Sequence, residues 1–372
     1  MKSAAKPYFP ALDGLRFFAF LFIFFQHITF YLPSDRSENL ILSFLHSNGW
    51  IGVSFFFALS GFLTTLLLLQ KQDNNGRINV KRFLTGRALR IWPLYFTGLI
   101  AGYGLFYLLW NYFRVLPSDF FPSLKFHLPW FLLFLGNWGI VIRGWEYSRA
   151  VSELWIICIY QQLYLIWPFI VGQMKNFRHS LFISLGLIIF SLASRAIFLK
   201  LGAVHPQIYA NTFNWLDTFT LGSLVAQVLF FKPAILDKIR GPFSSFWQLT
   251  VLALLVIYLY SQTAHDNLGS RQNIWSYPLI GLSATFFLIG GVKPSSLVFK
   301  FIRNNLFVSL GKIGYGLYIW HVLALETVFY FAGGKNNYLL VILGLPLTIL
   351  LAFLSSRLLE KPFLLLKNRK EN

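Results

Sequence analysis

Long apolar runs decide what this chain can fold into. Phe17 to Phe25 and Val251 to Tyr260 contain no charged or amide side chain, whereas the strands of a transmembrane β-barrel alternate apolar and polar residues. A helix needs about 20 apolar residues to cross a bilayer. Ten stretches approach that length, near 15–32, 50–70, 91–113, 152–172, 180–199, 213–231, 246–262, 275–292, 307–333 and 337–358. Composition agrees. Of 372 residues, 56% are hydrophobic and 12% charged, about half the charged share of a globular chain. A soluble fold has nowhere to bury so much apolar surface. The sequence predicts an all-α fold, a polytopic membrane helix bundle of about ten transmembrane helices. The stretch 129–143 is shorter and is interrupted by Pro129 and Gly136, so it reads as an interfacial or re-entrant piece.

The net charge of +19 would suit a nucleic-acid binder only if it formed one patch. Here the basic residues sit in short loops between apolar runs, so the expected partner is the lipid bilayer and no nucleic acid. Counted in alternate loops, Lys and Arg number 22 on one side and 9 on the other, with Lys312 inside a span. The positive-inside rule assigns the richer side to the cytoplasm, with both termini and the 71–90 loop. The expected location is the inner (plasma) membrane, multi-pass. No small-residue cleavage site follows the first apolar run, which reads as a retained span. Residues 1–372 are expected to form a single membrane domain with no appended soluble domain. The one cysteine, Cys158, excludes an intramolecular disulfide and reads as a small core filler. Seven dispersed histidines show no metal-ligand spacing, so no metal is expected. The chain has no P-loop, dinucleotide fingerprint, HExxH or GxSxG.

Ionisable groups inside spans are costly and mark function by default. Asp13, Arg16 and His27 share one stripe of the first span. Eleven steps of 100° return His27 to within about 20° of Arg16, roughly 16 Å further along. Asp13 stands one turn before Arg16, in place for a local pair. Arg87 and Arg90, three residues apart, could grip a phosphate-bearing ligand, or could simply anchor the helix by snorkelling. Tyr315, Tyr318 and His321, followed by Glu326, make a polar strip in the ninth span, functional or only interhelical glue. Asp217 carries the same two readings. Glu153 opens the fourth span and shares a face with Tyr160 and Tyr164.

These residues fall into a familiar order. ALDGLRFFAFLFIFFQH resembles the opening of the membrane-bound acyltransferase 3 family, which O-acylates surface polysaccharides, peptidoglycan and other glycans. Its Arg-x10-His pattern falls on Arg16 and His27. GVSFFFALSGFLTT resembles the second-span motif, with Ser54 where an acid is frequent. Arg87 and Arg90 match its Arg-x-x-Arg, SLGKIGYGLYIWH its late-span motif, and Leu359-Glu-Lys-Pro362 its closing signature. The likeness covers essentially the whole chain. One departure stands out. Where the fourth span usually reads Trp-Ser-Leu-x-Val-Glu-Glu-Gln, this chain reads Trp155-Ile-Ile-Cys-Ile-Tyr160-Gln161-Gln162.

The resemblance implies a helix bundle around a donor passage and an O-acyltransferase. No cofactor would be bound permanently. The donor substrate would be acyl-coenzyme A, acetyl-coenzyme A first, held by Arg87 and Arg90. The acceptor would be a hydroxyl of an extracytoplasmic glycan or lipid-linked sugar. His27 would be general base, with Arg16, Glu153, Tyr160 and Gln161 around it. The missing acids at 160 and 161 lead one to expect an impaired catalyst. The other reading is that another acid such as Glu153 has taken the role, although at about 10 Å from Tyr160 along the helix it would replace them directly only with a helix shift or a bridging water. A glycan transporter or flippase, or an acyltransferase-like binding protein, is the alternative.

Overall fold

The computed structural model describes residues 8–31, 44–45, 48–72, 77–113, 120–146, 148–238, 249–251, 253–255, 258, 273–292, 296–332 and 337–365. These residues fold into helices and connecting turns, with no strand among them. In chain order the helices are α1 (Pro10–Thr29), α2 (Ile51–Gln70), α3 (Val80–Phe113), α4 (Phe120–Leu132), α5 (Gly136–Arg143), α6 (Arg149–Ser152), α7 (Trp155–Gly172) and α8 (Phe177–Lys200). A single 3-10 turn (Thr212–Trp215) leads into α9 (Leu216–Phe231), followed by α10 (Pro233–Lys238), α11 (Asn273–Val292), α12 (Leu297–Ile302), α13 (Asn305–Lys312), α14 (Gly314–Phe331) and α15 (Asn337–Ser355). The result is an all-α membrane helix bundle.

Among the described residues seven helices are long and apolar enough to cross a bilayer, or eight if α13 and α14 count as one span. Several expected boundaries move. The third span begins at Val80, eleven residues before 91, so Arg87 and Arg90 ride inside a helix rather than at its mouth. The sixth stretch, 213–231, yields only 16 helical residues in α9, about 24 Å of helix against about 30 Å of hydrocarbon. It packs closely against α2. A Cβ on Gly61 would lie 1.9 Å from the Phe219 carbonyl oxygen, and one on Gly222 would lie 1.9 Å from that of Ala58. Small residues let the α2 and α9 backbones touch, the usual device where lipid supplies no hydrophobic drive. The seventh stretch, 246–262, lies mostly outside the described residues. The ninth, 307–333, is not straight. It bends by 76° between α13 and α14, where Gly311 presses so near α1 that a Cβ would meet the Asp13 carbonyl oxygen at 1.8 Å. The stretch 129–143 breaks into the short helices α4 and α5.

Helix α1 occupies the middle of the bundle. Its Phe17, Phe20, Ile23 and Phe24 belong to one buried apolar cluster with α3, α7 and α14. Its Ala11, Leu12, Leu15 and Ala19 belong to a second cluster with α2 and α11. Any polar residue on α1 is therefore held by helices on all sides.

Candidate active site

Two such residues, Arg16 and His27, lie at different depths and meet different partners. Arg16 pairs with Asp13 one turn below. Around it opens a cavity of about 530 Å³, lined by six cations (Arg16, Lys71, Arg82, Arg87, Arg90 and Lys312) and one carboxylate, the paired Asp13. Arg87 is held ready there. Its Nη2 donates to Thr64 Oγ1 at 3.2 Å, and its guanidinium lies 4.7 Å over the Tyr164 ring. Its Nε is buried with no hydrogen-bond partner among the described residues. A guanidinium fixed on one edge and unmet on another suits a planar or phosphate-type acceptor. Tyr160, Tyr164, Tyr315 and Tyr318 line the same cavity. Tyr164 shares a hydrogen bond with Ser60 at 2.8 Å, Tyr315 donates to the Ile91 carbonyl at 2.9 Å, and the buried Tyr160 hydroxyl has no partner among the described residues.

His27, buried at 7% exposure, sits near the far end of α1. Its Nε2 is 3.1 Å from Glu153 Oε1, and its Nδ1 is 2.9 Å from His321 Nε2. His321 Nδ1 in turn is 2.6 Å from the Tyr318 carbonyl oxygen. A carbonyl only accepts, so His321 carries its proton on Nδ1 and a neutral ring accepts at Nε2. His27 then donates from Nδ1. That leaves His27 Nε2 facing a carboxylate oxygen, a contact that is attractive only with a proton between them. His27 and Glu153 thus form one proton-sharing pair. Tyr318 completes the ring, donating to the Glu153 backbone carbonyl at 2.8 Å with its hydroxyl 3.3 Å from carboxylate Oε2. Tyr318 lines the cavity, whereas His27, Glu153 and His321 do not. It stands between the cavity and the pair.

Distance from Tyr160 argues against Glu153 as a direct substitute for the missing acids, yet its carboxylate meets His27. The error was one of level. Arg16, Tyr160 and Tyr164 line one cavity, so those tyrosines lie at its level. Eleven residues separate Tyr164 from Glu153, as eleven separate Arg16 from His27. The two antiparallel helices therefore bring Glu153 level with His27, and a carboxylate at position 160 would stand near Arg16 instead.

The remaining expected residues scatter. Gln161 accepts from Trp92 at 3.3 Å on an exposed face, and Ser54 is buried in α2 without a partner among the described residues. Trp155 packs into an aromatic cluster with Tyr209 and Trp215. Asp217 binds Arg195 at 2.9 Å, both fully buried. Sequence reasoning passed over Ser60 and Thr64, although both sit one helical turn apart in the quoted second-span motif. It also passed over His127, 2.8 Å from Glu146, with the Ser123 hydroxyl bonded to both. That trio is not wired for nucleophilic catalysis. Ser123 and Glu146 share one ring nitrogen, and the other faces the Gly144 carbonyl.

Fold and site together define a multi-pass membrane helix bundle with a buried His–Glu pair above a cationic cavity. The chain belongs to the acyltransferase domain family, whose sequence profile it matches over residues 9–357. It is 28% identical over 377 aligned residues to "Putative O-acetyltransferase SACOL0978" of Staphylococcus aureus (strain COL), covering 96% of this chain and 57% of that protein. It is 25% identical over 378 to the O-acetyltransferase OatA of S. aureus (strain NCTC 8325 / PS 47), covering 97% and 58%. The chain thus spans little more than half the length of these relatives. No solved structure matches it significantly.

Proposed function

We propose that this protein is a membrane O-acyltransferase. It takes an acyl group from acyl-coenzyme A, acetyl-coenzyme A first, and passes it to a hydroxyl of an extracytoplasmic glycan or lipid-linked sugar. The observation that carries this reading is the His27–Glu153 contact one tyrosine away from a cavity rich in arginine. The donor's phosphates pair with Arg87 and Arg90, and its uncharged arm extends past the tyrosines toward Tyr318. Keeping the phosphates at the cationic end avoids the cost of charge in hydrocarbon. The acceptor hydroxyl gives its proton to the second oxygen of the Glu153 carboxylate, whose first oxygen shares a proton with His27, while the hydroxyl oxygen bonds to the acyl carbon. The carbon–sulfur bond breaks, and the coenzyme A thiolate takes a proton back.

The test uses purified protein in lipid vesicles with radiolabelled acetyl-coenzyme A and a glycan fraction from the host. Label is expected in base-labile ester on the glycan. Sugar movement that needs no acyl thioester would favour a transporter instead. Replacing both Arg87 and Arg90 with Lys is expected to weaken coenzyme A binding by about tenfold or more, because a point charge cannot reproduce the guanidinium fork. Unchanged affinity by calorimetry would return both residues to simple anchoring.

Orientation has its own check. With Cys158 replaced by Ala, Lys71→Cys and Lys367→Cys should resist a membrane-impermeant thiol reagent in intact cells and react after permeabilisation. Labelling from outside would reverse the topology derived from the charge count.

A further inference from the structure

Glu326 has no part in the reaction as proposed. It sits on α14 at 4% exposure, and its Oε2 makes no hydrogen bond among the described residues. Burying an unmet carboxylate oxygen forfeits its hydration, so such an atom calls for an explanation. The cation that acts on it is Arg149, at the start of α6, one turn before Glu153. The two do not make an ion pair. The Arg149 guanidinium instead lies 5.6 Å over the Phe30 ring and 5.3 Å over that of Tyr31. Phe30 in turn is 5.4 Å, ring to ring, from His27, and Tyr31 is 5.0 Å from Phe329. Arg149 and Phe30 are exposed.

A guanidinium and two aromatic rings therefore gather at the His27 end of α1, and the buried Glu326 stands on α14 one turn before Phe329, which packs on Tyr31. That end of α1 points away from Arg16, so this cluster and the cationic cavity approach the His27–Glu153 pair from opposite ends. We infer that Glu326, Arg149, Phe30 and Tyr31 form the acceptor subsite, and that its ligand is a ring bearing several hydroxyls, as in a sugar. Glu326 accepts from one ring hydroxyl, and Arg149 donates to a neighbouring oxygen. The aromatic faces take the ring's C–H face. A fatty chain would leave both charges unmet, and an anionic headgroup would meet the Glu326 carboxylate. This inference rests on the acyl-transfer reading.

The test separates the two. In the host, the chromosomal copy is replaced by Glu326→Gln or by Arg149→Lys, and base-labile acetate in the surface carbohydrate fraction is measured. Acetyl-coenzyme A affinity and thermal stability are measured on the purified full chain. Expected is a tenfold or greater loss of carbohydrate-bound acetate in each variant, with donor affinity within twofold of wild type and unchanged stability. Wild-type ester levels in the isosteric Glu326→Gln variant would overturn the subsite. So would a loss of ester that tracks a loss of folded protein. Failure of wild type to bind acetyl-coenzyme A or to esterify carbohydrate would instead sink the acyl-transfer reading itself.

Discussion

Glu153→Gln is expected to lower acyl transfer by about 10²–10⁴-fold, the range a positioned acid–base group commonly contributes, with coenzyme A affinity unchanged. The amide keeps the size of the carboxylate but cannot hold the proton shared with His27 Nε2, 3.1 Å away in the native protein. It also cannot compensate a charged imidazole, the service the carboxylate performs in a Ser-His-Asp triad. His27→Ala should fall to the same floor, and the double variant should fall no further, because groups that act as a unit lose their effect together. The complementary experiment adds acids where the family usually has them. Tyr160→Glu with Gln161→Glu should give no gain in turnover, since position 160 lines the cavity with Arg16 rather than meeting His27 and Gln161 faces Trp92. A rise in rate in that variant, or near-normal turnover of Glu153→Gln, would show that the acid sits elsewhere.

Much of this architecture was written in apolar run lengths, and the reason is physical. Hydrocarbon leaves only helices and closed barrels, and unbroken apolar runs lack a barrel's alternation, so run length dictates an all-α bundle. The stripe carrying Arg16 and His27 was equally readable, because one helix obeys a fixed angle per residue. Relations between helices were not. Nothing local in the sequence says that Glu153 stands level with His27, or that His321 reaches His27 across 294 positions. Both depend on how deeply α1, α7 and α14 are inserted relative to one another. The same limit hid the bend at Gly311, where the crowding comes from the backbone of Asp13 rather than from any residue nearby in sequence. Position 160 misled for that reason: a family acid absent from one helix says little until the depth of its neighbours is known.

Asp217 shows what a buried charge does when it serves the fold instead of the reaction. Its carboxylate meets Arg195 at 2.9 Å, and both side chains are fully enclosed. Arg195 also donates to the Asn214 carbonyl and to that of Ile274 at 3.1 Å, and it lies 4.5 Å over the Tyr277 ring. One guanidinium thus ties α8 to the turn before α9 and to α11, while neither partner lines the cavity. Asp217→Ala leaves that cation buried without its counter-ion, which is expected to cost about 3–5 kcal/mol. Thermal unfolding of the solubilised protein should register a large drop in midpoint. Adding Arg195→Met should restore much of the loss, because replacing a whole buried pair by apolar side chains is often nearly neutral. Donor affinity per folded molecule should stay unchanged throughout. If Asp217→Ala kept its full midpoint and lost turnover, the residue would belong to the reaction and its pairing with Arg195 would have to open during it.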